Sequence, residues 1–221
     1  MKKFMALLLV AGMTLSLTAC GGSTDTAKTD QADGKDTFTV GFDQDFPPFG
    51  YVGDDGEFTG FDIEMATECA ARMGKKIVLQ PIDWDAKDME LEAGTIDCIW
   101  NGFTMNGRED QYTWTDPYMD NSQVVVVKKD SGINTLADLA GKVVEVQKES
   151  AAETALNDEE HADLTASFAQ LLSVGEYNTA FMDLESGAVD AVAIDIGVAQ
   201  FQIEGKEDQY QILDETISSE Q

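Results

Sequence analysis

The sequence predicts an α/β fold built as two lobes of similar wiring. Two observations predict it. From Thr37 onward, short apolar or alternating runs take turns with stretches whose apolar residues recur at helical spacing, the pattern of mostly parallel sheets covered by helices. In addition, Leu91-Glu92-Ala93-Gly94-Thr95-Ile96-Asp97 returns as Leu184-Glu185-Ser186-Gly187-Ala188-Val189-Asp190. Each copy reads as a helix end, a glycine stop and a strand start. Ligands of parallel sheets bind beyond the carboxyl ends of strands. The two echoes therefore aim their strand ends, near Gly102 and near Asp195, at a cleft between lobes, a common place for small-molecule sites.

The elements follow in order. Thr37–Phe42 alternates and predicts a strand. Phe61–Met73 predicts a helix, with Asp62 and Glu64 early and Gly74 just beyond its end. Lys76–Gln80 is a strand, Asp85–Glu92 a short helix stopped by Gly94, and Ile96–Trp100 a strand. Val124–Val127 is the apolar run of a buried strand. Thr135–Leu139 is a short helix ending at Gly141, and Val143–Gln147 a strand. Helices are expected near Ala151–Leu156 and Tyr177–Glu185. Val189–Ile194 is a strand, a helix follows to about Ile203, and Tyr210–Leu213 closes the series.

The N-terminus reads as an export signal. Lys2 and Lys3 precede an apolar stretch, and small residues lead to Leu17-Thr18-Ala19-Cys20. The apolar stretch is short and broken by Gly12, Thr14 and Ser16, which argues against a membrane-spanning helix. Cys20 after Leu-Thr-Ala resembles a bacterial lipobox, which implies cleavage before Cys20 and a palmitate-type lipid on it. Gly21 to Asp36 has no large apolar residue and predicts a flexible tether.

Net charge is −28, and residues 1–36 cancel their own charges, so the excess lies on the folded body. A surface this acidic excludes nucleic acid and anionic membrane as partners. A single histidine, His161, and the absence of CxxC argue against zinc sites and histidine-based triads. Cys69 and Cys98 are either a disulfide, favoured by export, or two buried thiols.

Several stretches together resemble the bacterial polar amino-acid binding proteins of ABC importers (extracellular solute-binding proteins, family 3). They are Val40-Gly41-Phe42-Asp43-Gln44-Asp45-Phe46-Pro47-Pro48-Phe49-Gly50-Tyr51, Gly60-Phe61-Asp62-Ile63-Glu64, Gly94-Thr95-Ile96-Asp97, Asn101-Gly102-Phe103-Thr104-Met105, Arg108-Glu109, Trp114-Thr115-Asp116-Pro117-Tyr118, Leu136-Ala137-Asp138-Leu139-Ala140-Gly141 and Leu184-Glu185-Ser186-Gly187. The ordered set, not any single piece, is specific, and it runs from Thr37 to the end. The resemblance implies a type II, two-lobe periplasmic-binding-protein-like fold that closes like a hinge.

On that reading residues 1–20 are a lipoprotein signal, 21–36 a linker, 37–123 lobe one, 124–215 lobe two, and 216–221 the start of the return crossover. The first crossover is expected near Asn121–Val126 and the return near Asp214–Ser219. The family's last strand and closing helices have no counterpart before Gln221, so the chain is expected to be either truncated at its C-terminus, the favoured reading, or naturally short with a compensating change.

The site residues implied by the resemblance suit a zwitterion. Arg108 offers a planar fork to a carboxylate, although its spacing from Thr104 is one residue shorter than in many relatives. Thr104 and the Gly102 backbone add hydrogen bonds. Ser150, at a helix start, and the Ala151 N–H form the second carboxylate contact, and Ser150 reads equally as an N-cap. Lys148 and Glu149 stand where the family has small residues. Asp195 takes the ammonium, with Asp43 secondary. Phe46 and Trp84 are side-chain walls, and Asn101 and Gln147 tune selectivity.

The expected function is amino-acid capture for an ABC importer. Its partners are the ligand and the permease subunits; its membrane contact is the lipid anchor alone. The chain is expected to be monomeric, extracytoplasmic, without cofactor and not an enzyme. A dehydratase acting on a cyclic acid is the competing enzyme on this scaffold, but no nucleophile–base pair is visible. A receptor sensor domain is the third reading.

Overall fold

The structure, a computed structural model, describes residues 36–220. The expected signal, Cys20 and the linker as far as residue 35 lie outside them. Within them are two principal sheets and one small one.

The first sheet has the order β5-β1-β6, with β1 Thr37–Phe42, β5 Lys76–Pro81 and β6 Cys98–Ile99 all parallel. Helix α1, Phe61–Arg72, packs on β5. Its start requires glycine: Gly60 has φ 125°, and a Cβ there would lie 2.3 Å from the Phe49 carbonyl oxygen. Acidic Asp62 and Glu64 in the first turn and Arg72 in the last complement the helix dipole. Between β1 and α1 runs a small antiparallel sheet, β2 Asp45–Phe46, β3 Gly50–Val52 and β4 Phe58–Thr59, which the sequence reading had not separated.

Helix α2, Lys87–Ala93, leads into β6, and the second sheet opens with β7, Asn121–Lys128. β8 Val143–Gln147, helices α3 Ala151–Leu156 and α4 Ala162–Ser167, β9 Gln170–Val174, helix α5 Tyr177–Ser186, β10 Ala191–Asp195, helix α6 Ile196–Ile203, β11 Tyr210–Ile212 and β12 Ser218–Glu220 follow. The order is β11-β7-β10-β8-β9, with β12 also on β7. β8 pairs in parallel with β9 and β10, whereas β7 is antiparallel to β10, β11 and β12. This corrects the expectation of mostly parallel sheets in the second half. β7 enters from the first sheet, so its direction is set by the crossover and not by a βαβ turn.

Val124–Val127 are all buried because both faces of β7 are covered. Val124 and Val126 join the cluster beneath α5 and α6, while Val125 and Val127 join the cluster with Leu139, Ala152 and Leu156. That is the two-residue period of a strand buried on both sides. Full burial of each such side chain contributes about 1.5–3 kcal/mol.

The sequence echo is structural. Gly94 (φ 71°) and Gly187 (φ 82°) are left-handed C-caps of α2 and α5, the glycine stop of a helix. Asp97 Oδ2 accepts the Thr39 N–H and Asp190 Oδ2 accepts the Val143 N–H, each at 2.8 Å. In return the Asp97 and Asp190 N–H groups donate to the Thr39 and Val143 carbonyls. Each copy thus staples its strand to a parallel neighbour. The strand expected at Ile96–Trp100 is paired only at Cys98–Ile99, since its start is taken by this staple.

The disulfide weighed for Cys69 and Cys98 is absent. Both thiols are free and half-buried, one on α1 and one on β6. Burial pushes the Cys98 thiol up to about 12, with Asp97 and Cys69 adding to the rise.

Candidate functional site

Four strand ends converge on one place. β1 ends at Phe42 and continues to Asp43, β6 leads to Asn101 and Gly102, β8 leads to Ser150, and β10 ends at Asp195. Ser150 caps α3, its hydroxyl accepting the Glu153 N–H at 3.1 Å. Gly102 has φ 55°, a conformation that favours glycine, and a Cβ there would lie 3.5 Å from Phe46 Cε1 and 3.7 Å from Phe49 Cδ2.

Phe46, Trp84, Asn101, Gly102, Thr104, Arg108, Gln147, Ser150, Ala151 and Asp195 line a single cavity of about 20 Å³, together with Phe103. The structure therefore brings these expected site residues together. Asp43 does not line it. Its carboxylate is spent on the Asp45 N–H and, at 2.6 Å, on the Gln147 side-chain amide from the second sheet. A space of 20 Å³ holds about one water molecule, so the two sheets are drawn together in this arrangement. A larger cavity of about 350 Å³ is also lined by Asn101–Thr104, but all its lining residues fall between 91 and 121. Cavities of about 480 and 360 Å³ are also lined from both sheets, by Asp43, Asp85 and Glu176 and by Lys87, Arg108 and Glu149, but the small cavity is where Arg108 and Asp195 meet.

Arg108 lies across the seam. It donates to the Thr104 carbonyl at 3.2 Å, the Glu149 carbonyl at 3.4 Å and the Thr154 hydroxyl at 3.3 Å, and its guanidinium lies 5.3 Å from the Phe103 ring centre. Phe46 and Trp84 are both buried. Phe46 also packs on Phe49 and Tyr177, so wall and core roles coincide.

The unusual loop residues Lys148 and Glu149 face the opposite sheet's helices. Lys148 pairs with Asp85 at 2.6 Å and Glu149 with Lys87 at 2.7 Å. Lys87 is buried and lies over the Trp84 ring. Glu149 is held at φ 58°, a left-handed conformation that costs a non-glycine residue of order 1 kcal/mol. Asn178 and Asp45 add a further hydrogen bond across the seam. Nothing in the sequence pattern paired these residues, which stand 62, 63 and 133 positions apart.

Asp195 lies in a carboxylate pair that the sequence reading missed. Its Oδ1 accepts from the Asn121 amide at 2.5 Å and the Gln123 amide at 2.8 Å. The same two amides reach Glu220 Oε2 at 3.2 and 3.1 Å. Burial holds Asp195 up at about 6, and the Glu220 charge adds to the rise against the lowering effect of the amides. The one sequence cue was that Asn121 and Gln123 lie two apart on a strand and so share a face. Among the described residues, no group of three or more His, Cys, Asp or Glu could hold a metal ion.

The family model for bacterial extracellular solute-binding proteins, family 3, matches residues 38–182. The arginine-binding extracellular protein ArtP of Bacillus subtilis (strain 168) is 36% identical over 148 residues, which cover 66% of this chain and 56% of ArtP. The L-cystine-binding protein TcyJ of Escherichia coli (strain K12) is 31% identical over 194 residues, covering 86% of this chain and 69% of TcyJ. The match thus spans little more than half the length of the first relative. Among solved structures, an ABC uptake transporter substrate-binding protein from Streptococcus pneumoniae with bound histidine aligns with TM-score 0.79 and 34% identity, over 84% of this chain and 77% of that one. An ancestral arginine-binding protein bound to arginine aligns with TM-score 0.75 and 36% identity, over 84% and 82%.

Proposed function

The chain belongs to the bacterial extracellular solute-binding proteins, family 3, and on that footing we propose that it captures a polar amino acid between its two lobes and delivers it to the permease of an ABC importer. One observation carries the reading: a cation, Arg108, and a carboxylate, Asp195, reach the same small cavity from different sheets. A zwitterion needs both charges, and neither sheet supplies the pair alone.

In this reading Arg108 presents its fork to the ligand carboxylate, joined by the Ser150 hydroxyl and the Ala151 N–H. Asp195 and Thr104 receive the ammonium. Phe46 and Trp84 flank the side chain, and Asn101, Gly102 and Gln147 supply the remaining polar contacts. The cavity has room for about one water molecule, so the ligand enters an opened cleft and the lobes close over it. This is capture without turnover. Among the described residues no helix is long and apolar enough to cross a membrane. Attachment to the membrane face is assigned to a lipidated Cys20, and residues 37–123 and 124–215 to the two lobes.

Calorimetry with the twenty amino acids tests the reading. Binding of at least one polar member is expected, and its loss in Arg108→Ala. A chain that binds none, or an Arg108→Ala variant with unchanged affinity, would overturn it.

A further inference from the structure

Glu220 does not line the binding cavity, but it reaches two residues that do: Thr104 by a direct hydrogen bond, and Asp195 through the shared Asn121 and Gln123 amides. The Thr104 hydroxyl donates to Glu220 Oε2 at 2.7 Å, and both side chains are buried. A carboxylate can only accept, so the single hydroxyl proton of Thr104 is committed to Glu220. Thr104 is left with acceptor lone pairs alone on the cavity side. The neighbouring donors are committed too. The Asn121 and Gln123 amide groups each reach both Asp195 and Glu220. The Gln123 amide keeps this orientation although its Oε1 is buried with no partner, a cost that the two charged acceptors offset. Ser218 also donates its hydroxyl to Glu220, at 2.6 Å.

We propose that Glu220 is a positioning and specificity-determining residue, which polarises Thr104 so that the Thr104–Asp195 wall accepts hydrogen bonds and gives none. That wall takes a ligand ammonium and rejects a ligand acceptor such as a hydroxyl oxygen or a second carboxylate. The proposal rests on the amino-acid-binding reading above. It adds to that reading a residue on β12 that lies outside the cavity. Strand pairing fixes Glu220 opposite Asn121, so closure of the crossovers and the polarity of the ammonium site are set by the same short strand.

The test is a double-mutant cycle in the full chain, with the twenty amino acids as probes. Glu220→Gln is expected to weaken the amino acid that binds by tenfold or more. In a Thr104→Val background the same change is expected to cost clearly less, because the part that runs through the hydroxyl is gone and only the part through the shared amides and Asp195 remains. Thr104→Ser, which keeps the hydroxyl, restores the full effect. Equal losses in both backgrounds, unchanged affinity in Glu220→Gln, or a Thr104→Ser variant that does not restore the effect would overturn the proposal while leaving amino-acid binding intact. A wild-type chain that binds no amino acid would overturn both.

Discussion

The Lys87 ammonium lies 2.7 Å from the Glu149 carboxylate, joining a residue of α2 to the loop before α3 across the closed seam. Lys87 is only 3% exposed while Glu149 is 45% exposed, so the pair lies between a surface bridge and a buried one. Its loss leaves Glu149 free to regain water.

Lys87→Met keeps the apolar stem against Trp84 and removes the charge. Removing one partner costs about 3–5 kcal/mol for a buried pair and 0–1 for an exposed one. An intermediate cost of roughly 1–2 kcal/mol is expected here, borne by the closed arrangement. Ligand affinity should fall about tenfold, and small-angle scattering should report a larger radius of gyration without ligand. The thermal midpoint should move little, because neither Lys87 nor Glu149 belongs to the hydrophobic clusters on the two faces of the second sheet.

Arg108→Lys separates charge from geometry. Lysine keeps the cation but loses the planar fork and its contacts to the Glu149 and Thr154 oxygens. Affinity is expected to drop about 10–100-fold, less than for Arg108→Ala, by calorimetry on the same amino acid. Equal losses in the two variants would show that the fork contributes nothing.

The pH dependence follows from three buried carboxyls. Asp43, Asp62 and Asp195 are each raised, by burial first, from 3.8 to about 6. Each binds its proton more tightly folded than unfolded. The stability they contribute is therefore complete below about pH 4 and is lost as pH rises from there through about 6. The ligand-free chain should melt several degrees higher at pH 5 than at pH 7.5, given about 2–4 °C per kcal/mol for a domain of this size. Asp195→Asn should flatten part of that slope and raise the midpoint at pH 7.5 while removing binding. In the wild type, affinity should fall below pH 6, and binding near pH 6 should release protons, measurable by calorimetry in buffers of different ionisation enthalpy.

Gly197→Ala tests the packing between the β2–β3 turn and α6. An added Cβ would lie 2.9 Å from Phe49 Cζ and 3.2 Å from Cε2. Phe49 lies within a cluster that includes Val198 and Ile194, so the ring has little room to give. A cost of about 1–3 kcal/mol is expected, read as a lower thermal midpoint together with weaker ligand binding. An unchanged affinity would mean that this contact persists in the open form.

Much of the site was legible because chemistry at strand ends leaves a local trace. The Gly94 and Gly187 stops announced β6 and β10, and through them Asn101, Gly102 and Asp195. Arg108 stood out as one of only two arginines on an acidic chain. What stayed hidden was pairing at a distance. Glu220 reads alone as one more surface acid, and only strand pairing sets it beside Asn121 and near Asp195. Lys148 and Glu149 read as departures from a small-residue loop until their partners on the other side came into view. The β2–β3–β4 sheet was missed because strands of two and three residues carry too little periodicity to detect.

On the two-lobe reading proposed above, the first crossover and the start of the return, β7 and β12, do not run separately. Ser218, Ser219 and Glu220 pair with Gln123, Ser122 and Asn121. A hydrogen-bonded ribbon resists shear between its strands but still twists and bends. Opening and closing should therefore follow a single coordinate, with little of the wandering that two independent linkers would permit. Such a coordinate gives a two-population equilibrium with one relaxation rate, and a single-molecule distance probe across the cleft would register it as a step between two levels.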